Sequence, residues 1–209
     1  MKFPILTSLI VFIVWLTVKI SESKKTREES EREYWEKERA ANAVRKQSLD
    51  DLAYIEFPFA YLPTEESFTS EGQNIPSSLL MLKDLAGKKI VNLNGISNTD
   101  LKLKYGTTNI TILSEYDTNF ITLCREGHLL SEYLFDMGRV DEAQQLSEAL
   151  VHSGSDVCAQ FTLLRKIYET TGKEDKVSNL IHLAENMTSS RKDAIIKTLT
   201  QVEEGAMQS

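Results

Sequence analysis

Cys124 and His128 stand one helical turn apart in a segment of helical pattern, so their side chains share a face. A thiol and an imidazole in that relation form a thiolate–imidazole pair for nucleophilic attack, or half of a metal site. The rest of the chain completes neither. His152 and His182 stand alone, and no spacing of Cys and His supplies the further ligands a metal needs, so neither metal nor cofactor is expected. No glycine-rich phosphate loop, nucleophile elbow or zinc-protease pattern occurs. The 31 Asp and Glu residues fall on solvated helix faces, where their ordinary role is solubility. Catalysis is therefore not the expectation. Cys124 with His128 is the one enzymatic alternative, and no small-molecule substrate is predicted.

The elements that hold these residues belong to a foldable chain: of 209 residues 41% are hydrophobic and 26% charged, enough for one ordinary domain with an attached segment. Charge divides it. Residues 24–46 hold eight Lys/Arg and six Glu, whereas residues 47–209 hold fourteen Lys/Arg and twenty-four Asp/Glu. So acidic a globular part disfavours a phosphate-binding face, and nucleic acid is not an expected partner.

The N-terminus is a different material. "FPILTSLIVFIVWLTV", residues 3–18, carries no charge, and Ile20 extends it past Lys19, whose stem can snorkel. As a helix, residues 3–20 reach roughly 27 Å against a hydrocarbon core of about 30 Å. The competing reading is a cleaved signal peptide, with Met1-Lys2 as basic start and Ser21-Glu22-Ser23 as cleavage site. Lys19, Lys24 and Lys25 directly after the apolar run, and Trp15 near its end, favour an uncleaved anchor over residues 1–20. The excess of Lys and Arg after the segment places the C-terminal domain in the cytoplasm, the chain being a single-pass protein of the cell membrane.

Residues 21–47 read as a charged juxtamembrane helix with no Gly or Pro and opposite charges at helical spacing, such as Glu33 with Lys37. A second reading gives Lys24, Lys25 and Arg27 to anionic lipid, which the six nearby glutamates weaken. Residues 48–115 begin with an extended aromatic strap in which Ile55, Phe57, Phe59 and Tyr61 alternate, and Pro58 biases Phe57 to an extended backbone. With no evident second strand, the strap is expected to lie in a groove of its own protein. A helix follows from Pro76 to Gly87, then a turn at Asn94-Gly95 and a short helix capped by Ser97 or Asn98 and closed by Gly106. Whether residues 90–93 form a strand is left open. From Thr108 the apolar positions Leu113, Tyr116, Phe120, Leu123, Leu130 and Leu134 keep helical steps, with a break expected at Asp117 or Thr118 and Gly127 at a core-facing place.

Residues 116–204 repeat. A shift of 34 brings Cys124 over Cys158, Leu130 over Leu164, Leu134 over Tyr168, Gly138 over Gly172, Ala143 over Val177 and Leu146 over Leu180. Each copy is a helix, a turn at glycine and a second helix, an arrangement whose apolar faces are buried by stacking. The two cysteines then occupy equivalent buried positions, and free thiols agree with a cytoplasmic face. Residues 191–204, with Ile195, Ile196, Leu199 and Val202 on one side, would cap the stack. The rival reading is an irregular helical bundle with a chance glycine spacing.

On Leu130, Gly138 and Ala143 in the first copy, and Leu164, Tyr168, Gly172 and Ala184 in the second, the chain resembles the tetratricopeptide repeat (TPR) family over about residues 121–188. Arg165, Val177 and Ser155 depart from the family's pattern. The order of anchor, charged helix and repeat tail also resembles small membrane-anchored proteins of Gram-positive bacteria, which implies no activity. The fold class expected is therefore all-α, an N-terminal transmembrane helix followed by an α-α superhelical, TPR-like repeat domain. The TPR resemblance implies a concave face made by the first helix of each copy, carrying Arg125, His128, Glu132, Phe135 and Asp136, then Ala159, Thr162, Lys166 and Glu169. It lacks the family's basic clamp for acidic chaperone tails, since Glu132 stands where an amide is wanted. The function expected is a membrane-anchored adaptor that binds a protein or peptide partner, with the strap of residues 54–61 occupying the groove at rest; the alternative is a structural subunit of a larger envelope complex.

Overall fold

In the computed structural model the backbone is described for residues 3–70 and 72–206, and the side chains for all of these except 3–7, 10, 11 and 201–206. Among them the chain is all-α, with nine helices and no strand. They are α1 (Phe3–Ala43), α2 (Glu65–Thr69), α3 (Ser77–Leu85), α4 (Asn98–Tyr105), α5 (Ile110–Asp136), α6 (Val140–His152), α7 (Cys158–Thr170), α8 (Asp175–Glu185) and α9 (Lys192–Ala206). Residues 90–93, left open by the sequence, hold a single antiparallel bridge between Tyr54 and Val91. The chain divides into two compact units, residues 1–48 with 97–110, and residues 49–96 with 111–209.

In the first unit one unbroken helix joins the apolar run to the charged segment, because residues 3–43 contain no glycine and no proline after Pro4, where a proline sits in the first turn without breaking a bond. Phe12, Ile13, Val14, Trp15, Leu16, Val18 and Ile20 are all exposed on it, so apolar side chains leave the helix in every direction. Among the described residues no helix is long and apolar enough to cross a membrane; the anchor expected over residues 1–20 falls partly outside them. The far end of α1 packs on α4. Ser97 caps α4 by accepting the Asp100 N–H at 3.2 Å. Glu38 accepts hydrogen bonds from Thr99, at 2.8 Å, and from Lys102. Lys37, expected to pair with Glu33, instead meets Asp100 at 2.7 Å. Asn109, buried, donates to the carbonyls of Gln47 and Tyr105 at 2.8 and 2.7 Å and so ties the exit of α1 to the exit of α4. Gly106 is required between them: its φ is +82° and a Cβ there would lie 2.4 Å from the Arg45 carbonyl oxygen.

In the second unit the core joins Phe57, Phe68, Leu79, Leu82 and Ile90 to Leu123, Leu130 and Leu134 of α5 and Leu146 and Leu150 of α6. The break expected at Asp117 or Thr118 does not occur. The Asp117 carboxylate turns outward to accept the Leu93 N–H at 3.1 Å, so its polarity serves a neighbouring loop and α5 continues beneath it. Gly127 brings α6 close to α5, its α-carbon facing Leu150. The strap does not lie among the residues predicted for the groove. Ile55 N–H bonds the Ile90 carbonyl at 2.9 Å, Phe57 is buried, and the turn at residues 59–61 packs on α6.

Two helix ends 34 residues apart close in the same way. Arg139 N–H bonds the Leu134 carbonyl at 2.9 Å and Lys173 N–H bonds the Tyr168 carbonyl at 2.8 Å, closing α5 and α7 through Gly138 and Gly172, whose φ values of +75° and +65° suit a left-handed C-cap. The aligned pairs Leu130 and Leu164, Leu134 and Tyr168, Ala143 and Val177, and Leu146 and Leu180 are all buried. Cys124 is buried but Cys158 only partly so, and both are free thiols. Helix α9 packs on α7 and α8 with Ile195 and Leu199 fully buried. Arg165, a departure from the family pattern, is itself buried, bonding Glu169 at 2.7 Å and the Leu199 carbonyl. The second unit is thus a helical, repeat-like stack.

Candidate groove on helices α5 and α7

Helix α5 is long enough to show a core side and an open side. Adjacent pairs in its sequence, Leu129-Leu130 and Tyr133-Leu134, send one member to each: Leu130 and Leu134 are fully buried, while Leu129 and Tyr133 are 47% and 37% exposed. Arg125, Glu132 and Asp136 are exposed on the open side, and His128 and Phe135 are half-buried. On α7, Ala159, Thr162, Lys166 and Glu169 are exposed. Two contacts bring the helices together along this line. His128 Nδ1 lies 3.2 Å from Gln160 Oε1, and the Lys166 ammonium stands 4.8 Å above the Phe135 ring.

The charges are unevenly matched. Arg125 pairs with Glu126 at 2.8 Å and Glu169 with Arg165 at 2.7 Å, whereas Glu132 and Asp136 have no partner among the described residues. Gln160 is fully buried beneath this line, and its Nε2 also lacks an acceptor there. At the N-terminal end, where Ile121 is 53% exposed, a cleft of about 630 Å³ opens between α5, the start of α7 and the loop before α9; Arg125, Asp156, Ser189 and Arg191 line it. Ser189 donates to Asp156 at 2.6 Å, and Arg191 stands 3.8 Å from the same carboxylate.

Ile121, Leu129 and Tyr133 were not among the residues read from the sequence. Apolar periodicity assigns every large apolar residue to the core; their signal was that each has a second apolar residue one or two places away, and both cannot face inward.

Cys124 and His128 have different neighbours in this geometry: His128 Nδ1 faces Gln160 Oε1. The Cys124 thiol faces Ser155, and burial pushes its pKa up to about 11, with the Asp156 charge adding and the Ser155 hydrogen bond opposing. This shift runs opposite to the one that activates a thiol nucleophile. Among the described residues no three His, Cys, Asp or Glu side chains converge on a metal-sized site.

A polar cluster joins α6, α7 and α8 on the other side of α7. Glu148 accepts from Tyr168 and Lys176, both at 3.0 Å, and from Gln144 at 2.8 Å, while Lys173 donates to Gln144 at 2.7 Å. Burial opposes ionisation of Glu148, but the hydrogen bonds from Lys176, Gln144 and Tyr168 outweigh it and hold the carboxyl below its ordinary range. Burial and the adjacent carboxylate push the Tyr168 phenol upward. The cluster is a clamp between helices: its members are spent on one another.

Compared with family models, curated proteins and solved structures, the chain finds no match.

Proposed function

We propose that this protein is a membrane-anchored adaptor: α1 holds the chain at a membrane as a single-pass anchor, and the TPR-like stack binds a segment of a protein partner in the cytoplasm. The observation that carries the binding half is the open side of α5, where Leu129 and Tyr133 remain exposed in a helix whose other large apolar positions are mostly buried. Exposed apolar side chains in a row, rimmed by charges, are what a docking surface presents. The anchoring half is supported by the uncharged run of residues 3–18 and by the apolar side chains on every side of α1 there. Anchoring raises the local concentration of whatever the groove holds, so function follows from position rather than chemistry.

A photo-crosslinking amino acid at Leu129, with a control at Ser178 on the exposed side of α8, tests this in cells expressing the full chain. A discrete adduct from position 129, absent from 178 and recovered with membranes, is the expected result. Adducts of equal yield from both faces favour the alternative of a structural subunit enclosed in a larger complex. No adduct from 129 in a chain that still sediments with membranes overturns the adaptor reading. Topology is read separately: a single cysteine at Ser209, in a variant lacking Cys124 and Cys158, is protected from an impermeant thiol reagent until permeabilisation if the stack is cytoplasmic.

A further inference from the structure

We infer that the groove takes a short peptide segment bearing Lys or Arg next to aliphatic or aromatic residues, its basic end seated at the C-terminal end of α5; this rests on the adaptor reading above.

The argument starts from what is left uncompensated. Glu132 and Asp136 stand one turn apart on the same helix face, both exposed and both without a partner among the described residues. Like charges at that spacing repel. Asp136 is also the last residue of α5, at the negative end of the helix dipole, the wrong end for a carboxylate. A cation bound there relieves both. The groove's own cation does not: Lys166 sits over the Phe135 ring. The surrounding unit, residues 49–96 with 111–209, holds 12 Lys/Arg against 23 Asp/Glu, net −11, so its field draws basic segments rather than acidic ones.

Apolar contact is supplied within the same turns by Leu129 and Tyr133, exposed beside Glu132. The other end of the groove sets direction. Arg125 and Arg191 line the cleft beside Ile121, each facing a carboxylate, Glu126 or Asp156, so the uncompensated negative charge lies at the Asp136 end and the Lys or Arg goes there. From Ile121 to Asp136 the helix runs about 22 Å, the length of roughly seven extended residues.

The test is selection from a random displayed peptide library on the full chain in nanodiscs of zwitterionic lipid, which offers basic peptides no anionic surface. Recovered peptides are then titrated against the full chain and its Glu132→Lys/Asp136→Lys and Leu129→Asp/Tyr133→Ala variants. The changed side chains are exposed, and circular dichroism checks that each variant is folded. The expected result is peptides with Lys or Arg within a few residues of Leu, Ile, Phe or Tyr, binding roughly tenfold or more weakly to the charge-reversed variant and losing affinity with salt. Peptides that need Leu129 and Tyr133 but are neutral or acidic, or that bind the charge-reversed variant equally well, overturn this inference and leave the adaptor reading standing. Absence of any peptide that depends on Leu129 and Tyr133 removes the groove, and both readings fall.

Discussion

Replacing Gly127 by alanine places a methyl carbon 2.6 and 2.7 Å from the two Cδ atoms of Leu150 and 3.1 Å from its Cγ. Real carbon contacts do not approach so closely, and Leu150 is fully buried, so it cannot swing into solvent to make room. Two terms compete. Alanine in a helix interior is favoured over glycine by about 0.8–1.0 kcal/mol, while forcing a carbon into a packed core costs about 1–3 kcal/mol. The net is a destabilisation of about 0–2 kcal/mol, read as a fall of several degrees at most in the unfolding midpoint. The sign in a second background makes the experiment decisive. In Leu150→Ala, which alone costs about 2–5 kcal/mol, the carbons that the new methyl would strike are gone, and Gly127→Ala should become stabilising by about 0.5–1 kcal/mol. Urea titration of the four chains, followed by circular dichroism in zwitterionic micelles, measures the cycle. A stabilising Gly127→Ala of equal size in both backgrounds would refute the close approach of α5 to α6, and with it the packing of the first helical pair.

Arg165→Ala removes the charged donor that reaches from α7 to the Leu199 carbonyl of α9, which should weaken the docking of α9 by about 1.5–3 kcal/mol; hydrogen exchange should rise in residues 192–200 and stay unchanged in α5 and α6, and a uniform rise would contradict this link. Because the Glu148 carboxyl is held below its ordinary value of 4.5, its stabilisation is complete above that pH and is lost as pH falls through the lower folded value. The thermal midpoint of Glu148→Gln should therefore depend less on pH between 5 and 3 than that of the parent, some acid slope persisting from Glu38, held low by Lys102 and Thr99, and Asp100, held low by Lys37 and Ser97; identical slopes would show that the clamp contributes nothing.

Local rules carried the sequence reading a long way. Ser97 as a cap, Gly106 and the Gly138 and Gly172 turns follow from backbone chemistry within a few residues, and four of the pairs set by the 34-residue step are buried at both members. Several failures involve residues distant in sequence. Asp117 reads as a helix breaker until Leu93 gives its carboxylate a partner. Lys37 and Glu33 are well spaced for a pair, but α4 offers Lys37 another carboxylate, a choice that spacing along α1 does not encode. The strap was recognised as an extended segment seeking a groove, yet its position on α6 depends on Ile90, whose role the sequence left undecided. At the candidate site the charged residues expected from the resemblance are exposed, while Leu129 and Tyr133 were hidden because hydrophobic character suggests burial until the competing neighbours Leu130 and Leu134 have taken the inside.

Helix α1 runs without interruption from Phe3 to Ala43, and its last turns are fixed to α4 by Glu38, Lys37 and the Asn109 tie. Such a rod shares one rotational frame along its length: whatever sets the azimuth of Trp15 also sets the azimuth of Glu38. Each residue removed between them turns one end against the other by about 100° and shortens the rod by about 1.5 Å. A deletion of seven residues almost restores phase, off by about 20°, whereas a deletion of two faces α4 nearly the opposite way. The charged segment therefore acts as an axle with a fixed angular setting, and its residue count matters more than the identity of its surface charges.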